Sequence, residues 1–207
     1  MEIREARLLI HQLFHRRILL ASLACAFLPL PAFARSVASH RESHPDLFHP
    51  ENGLRIERYR APTPDDVPGA TRVNAQEVKT LLEKPAVLVD VFGAASSRFD
   101  ELDGTWLVSK KRESLPGATW LPEVGRGSSG PEMQTYFAEN LERLTGGDKK
   151  RPLIMFCIAD CWMSWNAVQH AAAMGYTRVY WFAEGTDGWL DEGWELVPVD
   201  PVPVNVE

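Results

Sequence analysis

Arg151-Pro-Leu-Ile-Met-Phe-Cys-Ile-Ala-Asp-Cys-Trp-Met-Ser-Trp-Asn166 is the stretch that decides the fold. Its first part, ending at Phe156, is a short unbroken apolar run. That is the pattern of a strand buried on both faces in a parallel sheet. The run stops at Cys157. A loop from Ile158 to Met163 then feeds a helix expected to begin near Ser164 and to end at Gly175. A cysteine at the carboxyl end of such a strand, ahead of a helix N-terminus, meets unpaired N–H groups and the positive end of a helix dipole. Loop amides can also curl round the sulfur as a nest. Both effects favour thiolate and lower a cysteine pKa below its free value of about 8.5.

Working outward, the same alternation recurs. Asn74-Ala-Gln-Glu77 has the form of a capping box, and Val78, Leu81 and Leu82 give the helix after it an apolar face. Pro85 stops that helix. Ala86 to Val91 is a second buried strand, with Asp90 at its far end, where parallel sheets present side chains to a site. Residues 92–130 are Gly-rich and irregular, with a turn and short strand at Leu115-Pro-Gly-Ala-Thr-Trp-Leu-Pro122. Pro131 suits the first turn of a helix running to about Leu144, closed by Gly146-Gly147. Arg178 to Phe182 is a further strand. The expected architecture is α/β, a central parallel sheet flanked by helices, over residues 75–207. Residues 35–74, rich in Ser, His and Pro, read as an N-terminal extension of loop and short extended pieces, a solvated leader. His40, His44 and His49 lie there at irregular spacing, with no framework for a metal.

Residues 1–34 read as a secretory signal peptide. A basic stretch, His15-Arg16-Arg17, precedes an apolar run from Ile18 to Leu30, and Pro31-Ala32-Phe33-Ala34 offers small residues for cleavage after Ala34. The run is shorter than the roughly 20 residues a spanning helix needs. No other run is long enough to span a membrane, so the expected location is the periplasm, by general secretory or twin-arginine export. The full chain has 22 basic and 28 acidic residues. Removing four Arg and two Glu with the signal leaves 18 and 26, a net charge of −8. No basic stripe suggests nucleic acid. Of three cysteines, Cys25 leaves with the signal, so the mature chain keeps a pair four residues apart. In an oxidising compartment such a pair is expected as a disulfide unless chemistry keeps it open.

Asp90 after a buried strand, Leu115-Pro-Gly-Ala118, Phe156-Cys157 before a helix, Gly175-Tyr176 closing it, and Gly185 with Gly188-Trp189 together resemble the rhodanese superfamily. The segment Phe156 to Asn166 is similar to the CXXXCW-motif rhodanese-like proteins associated with PQQ-dependent catabolism, as are Pro62-Thr-Pro64 and Val67-Pro-Gly-Ala70. That resemblance implies a redox-cofactor role and, as partner, a periplasmic redox protein of a PQQ-linked alcohol oxidation system. The loop departs from ordinary rhodaneses. Their Gly three residues after the cysteine, and a basic residue soon after, are replaced by Asp160 and Trp162, and the loop is one residue longer. Asp160 opposes a thiolate by like-charge repulsion, which argues against efficient thiosulfate sulfurtransfer.

Two readings of the cysteine pair stay open. In the first, Cys157 is a nucleophile and Cys161 its resolving thiol, in a thiol-redox or sulfur-relay site. In the second, the disulfide is static and the domain is catalytically silent, docking a redox partner or cofactor through a Trp-rich rim. Zinc and covalent haem do not suit two thiols with three intervening residues and no His after them. Trp162 and Trp165 are either core packing or the roof of a planar ligand. Asn166 is expected to hydrogen-bond the loop, Ser164 to cap the helix, and Asp90 to line the site or satisfy loop amides. His170, mid-helix, is not expected to serve as a base for Cys157.

Overall fold

The computed structural model describes residues 36–94 and 98–206. The signal-peptide reading of residues 1–34 lies outside the described residues.

The apolar runs form the strands expected of them. β2 (Val87–Asp90) and β5 (Leu153–Phe156) lie side by side, buried along their whole length. With β1 (Thr71–Val73), β4 (Thr119–Trp120) and β6 (Val179–Phe182) they make a five-stranded parallel sheet in the order β1-β6-β5-β2-β4. The period-two alternation of a strand decides what each side chain meets. Val87 and Val89 join a core with α3 (Pro131–Thr145) and α4 (Trp162–Ala173), whereas Leu88 joins one with α2 (Ala75–Leu81) and α5 (Gly185–Asp191). Both faces are therefore covered, and a strand there must be apolar at every position.

Local signals set the helix ends. Asn74 accepts the Glu77 amide at 2.9 Å while the Glu77 carboxylate accepts the Asn74 amide at 2.8 Å, a complete capping box for α2. α3 starts on Pro131 and ends where Gly146 turns left-handed at φ 66°. α4 starts two residues earlier than expected, at Trp162, with Cys161 as its N-cap residue.

The extension is not a solvated leader. It carries α1 (Val37–Ser43), a 3-10 turn at Pro45–Leu47 and β1, which pairs with β6 at the edge of the sheet. Leu47, Phe48, Leu54 and even Arg55 are buried. These apolar residues lack any helical or strand period, so nothing local marks them as core. A separate antiparallel pair, β3 (Arg112–Ser114) with β7 (Val197–Val199), joins the irregular 92–130 region to the C-terminal tail.

The sheet register sets the site. Asp90 stands opposite Phe156 on one side and Trp120 on the other. The end of β2 therefore lies beside the residue that precedes Cys157.

Candidate functional site

Cys157 leaves β5 with no exposed surface, and Cys161, at 5 % exposure, begins α4. The two are joined in a disulfide with a Cα–Cα separation of 6.5 Å, within the span such bonds require. The loop between them is tied down by its backbone. The Cys157 carbonyl accepts the Thr186 amide at 3.1 Å, and the Ile158 region bridges Gly185. The Ala159 amide donates to the Asp187 carboxylate at 2.9 Å. Asp160 adopts φ 53°, the left-handed region that glycine enters freely and Asp tolerates better than most.

On its outer side the loop meets the extension. Residues 59–61 run antiparallel to 160–162: the Ala61 amide donates to the Asp160 carbonyl at 3.0 Å and the Trp162 amide to the Tyr59 carbonyl at 2.8 Å. The Trp162 amide is one of the orphan donors of the α4 N-terminus. Cys161 supplies no side-chain cap, so a backbone carbonyl of the extension does so instead. The amides of Ala159 and Trp162, which a nest round a sulfur anion would use, are thus bonded to Asp187 and Tyr59.

The tryptophans are packing. Trp162 has no exposed surface and lies edge-on to His40, Phe48 and Trp165, with the Arg55 guanidinium 4.9 Å from its ring. Its indole N–H donates to the Pro62 carbonyl at 3.2 Å, and that of Trp165 to the Asp66 carbonyl at 3.0 Å. Of the two alternatives for these rings, the structure has the packing one: both are buried and anchor the extension. Ser164 does not cap the helix. Its hydroxyl donates to the Cys161 carbonyl and accepts the Trp181 indole N–H. Asn166 does not bond the cysteine loop; it pairs with both backbone groups of Arg55 and with the Gly125 carbonyl. His170 meets the Arg126 carbonyl at 3.1 Å.

Asp90 is fully buried. One carboxylate oxygen takes Arg112 Nε at 2.9 Å and the Ser114 hydroxyl at 2.6 Å; the other takes the Phe92 amide at 3.0 Å. Burial pushes this carboxyl above the usual range, against the pull of Arg112, Ser114 and the Phe92 amide. The amide it satisfies belongs to its own strand end, not to the cysteine loop. Arg112 also donates through Nη2 to the Cys157 carbonyl at 3.2 Å. Among the described residues it is the one cation whose side chain hydrogen-bonds the cysteine backbone, and the sequence reading missed it. Its only local signal is its place two residues before Ser114, in a stretch read as irregular. Asp187 and Tyr59 were missed for the same reason: distant segments bring them to the loop.

Among the described residues no cluster of three or more His, Cys, Asp or Glu is placed to hold a metal. No described helix is long and apolar enough to cross a membrane. Chemically, the arrangement is a buried disulfide. Asp160 lies on the loop and Asp187 of α5 reaches it, and the amides of Ala159 and Trp162 are already bonded.

A family model for the rhodanese-like domain matches residues 74–192. No curated protein sequence matches the chain. Among solved structures, the homodimeric polysulfide-sulfur transferase of Wolinella succinogenes is 17 % identical over 62 % of this chain and 79 % of its own, with a TM-score of 0.42. The human single-domain sulfurtransferase TSTD1 is 22 % identical over 59 % of this chain and 97 % of its own, with a TM-score of 0.40. With more than half of its length matched to one family, this chain belongs to the rhodanese-like domain proteins.

Proposed function

We propose that this rhodanese-like domain works as a thiol–disulfide couple, Cys157 with Cys161, in a periplasmic redox system tied to PQQ-dependent alcohol oxidation. The observation that carries the redox part is the disulfide itself. The cysteine at the end of β5 is bonded to a second cysteine, so it holds no sulfane sulfur until the pair is reduced. The periplasmic and PQQ parts rest on the signal-like first 34 residues and on the CXXXCW resemblance.

The step runs as ordinary thiol exchange. A donor thiolate attacks Cys161 Sγ, since what exposure the pair retains belongs to Cys161. Cys157 leaves as thiolate and takes a proton. A second donor thiolate then frees Cys161 and departs as the donor's disulfide. Two electrons and two protons pass from donor to protein. In the reverse direction Cys157 attacks the mixed disulfide; its deeper burial supports the resolving role for Cys157 and the contact role for Cys161. This exchanges the roles expected from position alone.

The second reading, a silent domain with a structural disulfide, is favoured by one observation: both cysteines are buried, and residues 59–62 run along the Cys161 end of the loop. Thiol counting under native conditions separates the two. The redox reading expects two thiols after mild reductant, re-formation of the bond on oxidation, and in Cys157→Ser a single thiol, that of Cys161, whose count no longer depends on reductant. A pair that resists millimolar dithiol until the protein unfolds supports the silent reading. On either reading cyanide with thiosulfate yields little thiocyanate, because the amides of Ala159 and Trp162 are unavailable to an anionic donor.

A further inference from the structure

The Cys157 carbonyl is held by two elements at once. From the first turn of α5 the Thr186 amide donates to it at 3.1 Å, and a Cβ added at Gly185 would come within 2.5 Å of the same oxygen. From β3, Arg112 Nη2 donates to it at 3.2 Å. The Arg112 side chain is 11 % exposed, and a fully buried carboxylate sets its direction: Asp90 Oδ2 accepts Nε at 2.9 Å. The Ser114 hydroxyl and the Phe92 amide fix that carboxylate in turn. The guanidinium lies 4.5 Å from the Phe92 ring centroid, and pairing of Arg112 with Val199 fixes the backbone it reaches from.

An ion pair needs charge; this fork needs direction. The planar guanidinium gives one N–H to Asp90 and another to the carbonyl. A lysine ammonium on its flexible stem keeps the charge but does not reproduce two fixed directions. The second arm falls on the residue that carries the sulfur, one position beyond Phe156, where the β2–β5 register ends.

We propose that Arg112 is a positioning residue for the cysteine pair: through the Cys157 carbonyl it keeps that end of the loop in place after the S–S bond opens. This rests on the redox reading of the pair. With oxidised dithiothreitol as oxidant, the Cys161 thiolate first attacks the reagent's disulfide and forms a mixed disulfide. The Cys157 thiolate then attacks Cys161 Sγ. The Cys157–Cys161 bond forms, and reduced dithiothreitol leaves with the two protons of the former dithiol. A sulfur already held near its partner closes more favourably, because less chain freedom is lost in closing.

The test equilibrates the purified full chain with reduced and oxidised dithiothreitol. Alkylation and mass of the peptide carrying both cysteines give the constant for disulfide formation, and amide exchange at Thr186 follows the Cys157 carbonyl. In the parent, Thr186 protection should change by less than about threefold on reduction. In Arg112→Lys the constant should fall about tenfold, the scale of one hydrogen bond from a charged donor. Thr186 should there lose protection in the reduced form only. Thr145→Val removes a buried hydroxyl bonded within α3; it should lower stability and leave the constant at the parent value. Three results overturn the proposal alone: a parent-like constant in Arg112→Lys, equal shifts in Arg112→Lys and Thr145→Val, or loss of Thr186 protection on reducing the parent, which needs no variant. A parent pair that stays closed in millimolar dithiothreitol until the protein unfolds overturns the redox reading, and the positioning role with it.

Discussion

Replacing Trp162 by Ala tests whether the extension limits access to the disulfide. The indole is fully buried, contacts His40, Phe48, Trp165 and Arg55, and holds the Pro62 carbonyl. Truncating a buried Trp costs about 3–5 kcal/mol. Most of the lost contacts lie between α4 and residues 40–62, so the loss falls on docking of the extension more than on the sheet. If about 3 kcal/mol of it is local, the open form of that segment rises on the order of 100-fold in population. Reduction of the disulfide through that open form should accelerate by the same order. The assay is the rate of thiol appearance in excess dithiol below the unfolding transition, beside a urea titration of the same protein. Limited proteolysis should cut the segment near residues 50–62 faster in the variant. A urea midpoint that falls as expected, with a reduction rate within twofold of the parent, would refute the reasoning. The barrier to reduction would then lie in the loop itself.

Reducing the disulfide in the parent should lower unfolding free energy by about 2 kcal/mol, because a closed ring of roughly five residues restricts the unfolded chain only modestly; paired urea titrations with and without reductant measure it. Asp160→Gly should be neutral or up to about 1 kcal/mol stabilising, since relief of the left-handed conformation at φ 53° outweighs the added freedom of the unfolded chain. A urea midpoint lowered by more than that would show the carboxylate to be structural. His170 gives a pH signature. Burial holds its pKa below the ordinary value, only partly offset by the Arg126 carbonyl. The unfolded chain therefore takes up the proton first, and the stability this residue contributes is complete above about pH 6.5 and is lost as pH falls below it. In His170→Gln the stability slope between about pH 7 and 5 should flatten; an unchanged slope would place the proton uptake elsewhere.

Elements with a signal inside their own residues were legible in the sequence. β2 and β5 are continuous apolar runs because both faces of the sheet are covered. The Asn74–Glu77 box and the Pro131 and Gly146 ends of α3 are local chemistry. β1 was not legible: it has three residues, of which only Val73 is buried, so no period exists to detect. β3 and β7 stabilise each other across more than 80 residues, through Arg112 opposite Val199 and Ser114 opposite Val197. α5 begins on one glycine and contains another, which lowers its intrinsic propensity. The site divides in the same way. The cysteines and Asp90 mark strand ends and could be found. Arg112, Asp187 and Tyr59 reach the loop only through tertiary pairing.

That division bears on the chemistry. A sulfur anion at the head of a helix is stabilised by amides left without partners. Here the chain has used two of them. Tyr59 takes the Trp162 amide and Asp187 takes the Ala159 amide, while Cys161 occupies the capping position with a sulfur already bonded to Cys157. Disulfide, extension and helix cap therefore form one interlocked unit. Breaking the S–S bond with the extension in place leaves the Ala159 and Trp162 amides engaged by Asp187 and Tyr59. Moving residues 59–61 away frees the Trp162 amide and uncovers Cys161 in the same motion. The reactive thiolate and the open extension should thus be populated together. For that reason docking of the extension, more than the sequence of the loop, is the place to look for control of this cysteine pair.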